Sequence, residues 1–177
     1  MDYLNLEGPD GQEDNMGGTT QKVYYAPIRD FLSIAVPAGS PTTPGDTVEI
    51  ATAHTFKTGK CFKLLYCTMD KGKYDSEPQG DTDGFSFKKT AEVFYPGSNS
   101  EVHGLASKGK NDRFMFLIEM PDGTVIQQGN KMFYAHLKSK FSTGSNSSGT
   151  RGHTFTIESM GPENLLYSGA ISLTPAP

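Results

Sequence analysis

The side chains able to do chemistry in this chain are scattered. Its four histidines, His54, His103, His136 and His153, fall on separate predicted elements, with no partner histidine two or four residues away. A zinc site needs about four converging ligands, so structural or surface roles are expected for all four. Cys61 and Cys67 sit in one predicted strand. A rise of ~3.3 Å per residue sets their backbones roughly 20 Å apart, beyond disulfide reach. Two reduced, half-buried thiols are the expectation.

The carboxylates do gather. Asp70, Asp75, Glu77, Asp81 and Asp83 lie in the polar stretch 68–83. Asp81-Thr82-Asp83-Gly84 resembles the start of a calcium loop, but the flanking helices and the later glutamate of that motif are missing. Solvated charge is expected there. Glycoside hydrolysis needs two facing carboxylates. Glu49 and Glu92 are candidates by type, and nothing in their spacing brings them together. GSNSSG (144–149) is low-complexity sequence and not a nucleophile elbow, and no phosphate-binding glycine motif occurs. The N-x-S triplet at Asn146 has no secretory signal to make it a glycosylation site. No enzyme activity, metal or cofactor is expected.

The elements that could position these residues are strands. KVYYAPI (22–28) is rich in β-formers and stopped by Pro27, which predicts an edge strand or strand end. FLSIAVP (31–37) is a second apolar stretch, followed by the Pro/Gly turn region 37–46. From Asp46, the residues Val48, Ile50 and Phe56 share one parity, opposite Thr47, Glu49 and Thr55, which predicts a half-buried strand. Phe62, Leu64 and Tyr66 alternate with Cys61, Lys63 and Cys67 in another. Residues 68–83 read as a loop long enough to be functional. Phe85, Phe87, Ala91, Val93 and Tyr95 share a face, with Ser86, Lys88, Thr90 and Glu92 on the other. In 98–112 the alternation breaks, and a short helix capped by Ser98 or Ser100 is predicted, with Val102, Leu105 and Ala106 facing inward. Phe114, Phe116, Ile118 and Met120 alternate with Arg113 and Glu119. The turn PDGT and the strand TVIQQ complete a predicted hairpin over 113–128. Phe133, Ala135, Leu137 and Phe141 group opposite Lys138 and Lys140. A Ser/Gly loop (142–152), a strand burying Phe155 and Ile157, and a last strand or pair in 165–173 end the pattern.

Strands without interleaved long helices predict an all-β fold with one short helix, as two packed antiparallel sheets in a sandwich or barrel. The 177 residues suit one domain, 21–177, preceded by an acidic, polar arm at 1–20. A formal charge of −4 with no run of Lys and Arg disfavours general nucleic-acid binding. No apolar run is long enough for a transmembrane helix, and the first residues lack a signal-peptide layout. No membrane partner and an intracellular site of synthesis are expected.

The segments DGFSFKKTAEVFYPGSNSEVHGLASKGKNDRFMFLIEMPDGTVIQQGNKMFYAHLKSKF and RGHTFTIESMGPENLLYSG resemble the major tail tube proteins of long-tailed bacteriophages. The shared order is strand, short helix, hairpin with a D-G turn, strand, Ser/Gly loop, then R-G before a closing strand, over roughly 46–169. The related type VI secretion tube proteins fall under the same resemblance. It implies two packed sheets with a flanking helix, and subunits that form hexameric rings. The inner strands of such rings join into a continuous barrel, the rings stack, and DNA passes through at ejection. The implied partners are copies of the chain, other phage tail proteins and DNA in transient, non-specific passage. The implied location is the virion tail, assembled in the bacterial host cytoplasm. Carried onto this sequence, Asp70, Lys71, Tyr74, Asp75, Glu77, Asp81 and Asp83 become inter-subunit candidates. Residues 1–20 become an arm clasping the adjacent ring. Thr47, Glu49, Ser86, Lys88 and Glu92 become lumen candidates. A positive lumen built from Lys57, Lys60, Lys63, Lys88 and Lys89 would oppose the model, because it would hold phosphate rather than let it slide. The alternative is a phage head decoration, baseplate or adhesin-type β-sandwich binding module; a small hydrolase on the same fold is a third.

Overall fold

A computed structural model of the chain describes residues 16–147 and 149–177. Most of the expected arm, residues 1–15, lies outside them. The strands are β1 (Lys22–Pro27), β2 (Phe31–Ser33), β3 (Glu49–Ile50), β4 (Thr55–Phe56), β5 (Lys63–Tyr66) and β6 (Lys73–Gln79). They continue with β7 (Ser86–Pro96), β8 (Phe114–Glu119), β9 (Val125–Gln128), β10 (His136–Ser142), β11 (Gly152–Gly161) and β12 (Leu165–Tyr167). One helix, α1 (Ser100–Gly109), joins β7 to β8. The fold is all-β with one helix, as the alternation predicts.

A six-stranded sheet runs β3-β12-β9-β8-β1-β5, and a four-stranded sheet runs β10-β11-β7-β6. A two-stranded sheet, β2-β4, adds a partial third layer. All pairings are antiparallel except β12 with β3, a departure from the purely antiparallel expectation. The core between the two large sheets holds Phe116, Ile118 and Val23 from one side and Ala91, Val93, Phe155 and Ile157 from the other. A second core on the far face of the six-stranded sheet holds Met115, Leu117, Tyr24, Phe31, Phe56 and Phe62. Strand β8 supplies both, so FMFLI is a continuous apolar run rather than an alternation. Gln128 pins the sheets together: its buried Nε2 donates to Lys89 O at 3.0 Å and to Ile157 O at 2.9 Å.

Several expectations fail for identifiable reasons. Of the two readings of Pro27 the strand end holds, since β1 closes at Pro27, and the edge does not, because β5 and β8 pair with β1 on either side. Pro27 is tolerated because pairing with β5 has already ended at Tyr25. The strand expected from Asp46 is a tight turn at Gly45–Thr47 followed by the two short strands β3 and β4. The carboxylate of Asp46 accepts from Thr42 N and Oγ1 at 2.8 Å each and from Thr43 N at 2.9 Å, which commits this stretch to a turn. In β5 the buried side chain is Leu65, while Leu64 and Tyr66 are exposed on the sheet edge. Phe85 precedes β7 and is exposed, and the core-facing row includes Lys89 instead. That lysine is buried, and its ammonium donates to the Glu163 carbonyl.

The helix appears where expected, but Asn99 caps it, accepting from Val102 N at 2.9 Å. Val102 is buried, with Leu105 and Ala106 packed beside it. The β8–β9 hairpin forms as predicted, with Gly123 at φ +85° in its turn. Cys61 and Cys67 are both free thiols.

Candidate interaction surface

The largest difference from the sequence expectation lies at 68–83. Lys73–Gln79 is strand β6, paired along its whole length with β7 from Lys73↔Glu92 to Gln79↔Ser86. The pattern was hidden because β6 carries no buried residue and alternates only between exposed and half-buried side chains. What remains is a turn at Asp70, with φ +61°, and a hairpin turn at Gly80–Phe85 that holds Asp83 at φ +66°. Both φ values lie in the left-handed region that aspartate tolerates better than most residues. In the hairpin turn, Asp81 Oδ1 accepts from Thr82 N at 2.8 Å and Asp81 O from Gly84 N at 2.9 Å.

The face of the four-stranded sheet turned away from the core is built from the residues opposite in parity to Ala91, Val93, Phe155 and Ile157. Registers align Lys73, Glu92, Thr156 and Lys138 in one row and Asp75, Thr90, Glu158 and His136 in the next. Glu77, Lys88 and Met160 follow, and Lys140, Thr154 and Phe94 close the other end. Four lysines (73, 88, 138 and 140) face four carboxylates (75, 77, 92 and 158), so this face carries no net formal charge. Lys73 pairs with Asp75 and Glu92 at 3.6 Å each, and Lys138 with Glu158 at 2.5 Å. These exposed pairs contribute little stability. They do fix the sign pattern of the surface.

The lumen candidates divide between the sheets. Ser86, Lys88 and Glu92 lie together on this face. Thr47 and Glu49 lie at the β3 edge of the other sheet, where Thr47 Oγ1 donates to Pro44 O at 2.6 Å and Glu49 accepts from Ser168 Oγ at 2.8 Å. Glu49 and Glu92 are therefore on different sheets. Among the inter-subunit candidates, Asp75 and Glu77 share the outward face on β6, whereas Tyr74 turns inward against the core. Asp70 and Lys71 belong to one turn and Asp81 and Asp83 to the other. The lysines 57, 60, 63, 88 and 89 make no single positive surface: Lys88 opposes Glu77, Lys89 is buried, and Lys60 and Lys63 line a groove beside α1.

Two histidine environments emerge that residue spacing did not reveal. The His54 ring is buried: Ala35 N donates to its Nδ1 at 3.0 Å, so the proton sits on Nε2, 2.9 Å from Gln127 Oε1. Its ring stacks on Tyr167 with centroids 4.7 Å apart. His153, from β11, meets His103 of α1 at 4.6 Å and Phe141 of β10 at 4.9 Å. Ser139 Oγ lies 2.8 Å from His153 Nδ1, and the buried Nε2 of His153 has no hydrogen-bond partner among the described residues. His153 shares the core parity of Phe155 and Ile157, which was the available signal. Its partners come from elements distant in sequence.

Burial pushes the His54 imidazole below its usual pKa against the opposing Gln127 hydrogen bond, and burial followed by the charge of His103 pushes His153 down. Each then binds fewer protons folded than unfolded. The stability tied to them is complete above the unfolded value of ~6.5 and declines as the pH falls through it. Asp46 and Asp122, held low chiefly by hydrogen bonds from Thr43 and Thr124 respectively, weaken the fold only below about pH 4. The urea midpoint should therefore fall between about pH 7 and pH 5, and fall less in His153→Gln. A flat profile across that interval would contradict this account.

Among the described residues, no group of three or more His, Cys, Asp or Glu could hold a metal ion, and no helix is long and apolar enough to cross a membrane. A groove of about 760 Å³ is mostly apolar; Leu32, Val36 and Met132 stand exposed on its walls, with Lys131 and Glu163 its charged members. It has no paired acid and base. The protein is thus defined by its class: a β-rich fold of three sheets displaying an open, polar, four-stranded face. Comparison with protein-family models, with curated proteins and with solved structures finds no match to this chain.

Proposed function

We propose that this chain is a structural subunit that assembles with copies of itself into rings and stacked tubes, as the tail tube of a long-tailed bacteriophage does. The four-stranded sheet lines the channel. Rings hold six copies, the number the resemblance implies, and DNA passes through the channel at ejection. The tail forms in the bacterial host cytoplasm, with other tail proteins as partners and no membrane.

One observation carries the proposal: the sheet β10-β11-β7-β6 has an even number of strands that alternate in direction, and both its edges are open among the described residues. When such a sheet is repeated around a ring, β6 of each copy runs antiparallel to β10 of the next. Every seam then has the same geometry as the pairings inside the subunit, and the ring leaves no free edge. The charge-balanced face supports a channel role, because it offers phosphate no net positive field.

A binding module on the same fold is the second reading, and the open apolar groove beside Leu32 and Val36 is the observation that favours it. Negative-stain electron microscopy over a range of protein concentrations separates the two. Rings or tubes with a central hole are expected. Dispersed particles at every concentration, with a stable monomer or trimer in solution, would favour the module.

A further inference from the structure

Strands β6 and β10, the two edges of the four-stranded sheet, have equal lengths of seven residues, and both leave one row of backbone groups unpaired among the described residues. Their outward side chains differ in sign. β6 presents Asp75 and Glu77 after a single Lys73, while β10 presents Lys138 and Lys140 after His136. We infer that these edges recognise each other between copies in one register, with Lys73 opposite Ser142 and Gln79 opposite His136. This rests on the ring reading above and specifies its seam.

The register follows from overlap, parity and charge together. Full antiparallel overlap of two seven-residue strands fixes the pairing, and it keeps outward residues opposite outward residues. It sets Glu77 opposite Lys138 and Asp75 opposite Lys140. On the inward face it sets Tyr74 opposite Phe141 and Ser76 opposite Ser139. Opposite charges and aromatic pairs directly across a seam are favourable, and like charges are unfavourable. Continuing the rows of the sheet straight across the seam instead would set Lys138 against Lys73. The preferred register is displaced from that one, and strand stagger of this kind is what a closed barrel requires.

Pairing of like edges fails the same test. Full antiparallel overlap of two β6 strands sets Asp75 against Glu77, and two β10 strands set Lys138 against Lys140. The charges thus oppose two-fold dimers and favour the head-to-tail contact that closes rings. The lysines on β10 also discourage pairing with strands that carry no matching carboxylates.

The experiment uses the full chain in two forms. In the first, Lys138→Glu with Lys140→Glu, and separately Asp75→Lys with Glu77→Lys, should each raise the concentration at which rings appear about tenfold or more. An equimolar mixture of the two double variants should assemble near the wild-type threshold, because each seam is again of opposite charge. That recovery also shows that both variants fold. In the second, Ser76→Cys with Ser139→Cys should give, on oxidation, a ladder of covalent multimers that neither single variant gives. Within one chain these positions lie three strand spacings apart and four residues out of line along the strands, roughly 20 Å, too far for a bond. Rings that persist with no ladder and no effect of charge reversal would overturn the register and leave the ring reading standing. A wild-type chain that gives neither rings nor, as the Ser76/Ser139 cysteine variant, a ladder at any concentration would overturn both.

Discussion

Phe116→Ala is expected to lower the stability of the folded chain by about 3–5 kcal/mol. Phe116 has no exposed surface and sits in the central strand β8, with its ring 6.2 Å from Tyr25 and 5.6 Å from Phe114. Across the core it faces a sheet whose inner row is Ala91, Val93, Phe155 and Ile157. Truncation removes apolar surface and leaves a void that two hydrogen-bonded sheets cannot collapse to fill. For a chain of this length, each kcal/mol moves the melting temperature by roughly 2–4 °C, so a drop on the order of 10 °C is expected. Urea unfolding of the monomeric protein measures it. A loss below about 1 kcal/mol would mean that the two sheets are not packed as described.

The second large effect concerns β6. On the proposed ring reading, replacing residues 70–82 by a short Gly/Ser linker is expected to abolish assembly and also to destabilise the fold. As a free loop, this stretch could be exchanged without touching the fold. As a strand, it contributes a full ladder to β7 and covers the core through Tyr74. Its removal leaves the backbone groups of β7 along seven register pairs without partners and uncovers the core under Tyr74, which takes away a sizeable part of a domain's net stability. Paired measurements of ring formation and thermal unfolding decide the matter. Unchanged unfolding with lost assembly would return the segment to the status of a loop.

The sequence reported the fold where burial was one-sided. The alternation in β7 and β11, the helix that follows β7 and the β8–β9 hairpin could all be read because one apolar face met one polar face or a turn had a fixed chemistry. It misled where burial was absent or two-sided. β6 has no buried residue to mark a period, and Met115 and Leu117 of β8 are buried opposite Phe116, erasing the expected contrast. At the surface, the parity of Ser86, Lys88 and Glu92 was correctly read, because strand periodicity alone fixes it. Their union with Lys138, Glu158 and Asp75 depended on the strand order β10-β11-β7-β6, which no local pattern contains. The meeting of His103 with His153 is of the same kind: three elements far apart in sequence create it.

The double burial of β8 divides the freedom of this chain to drift. A change at Met115 or Leu117 must be accommodated by the far core of the six-stranded sheet, and a change at Phe116 or Ile118 by the near one. These adjacent positions answer to two independent sets of neighbours through one backbone, so substitution there is slow and must be matched in both. On the outward face of the four-stranded sheet, inside its β6 and β10 edges, the requirement is collective: the balance of signs matters more than which residue carries each. Lineages descended from this chain would keep the β8 run nearly fixed while exchanging lysines and carboxylates across the middle of the open face.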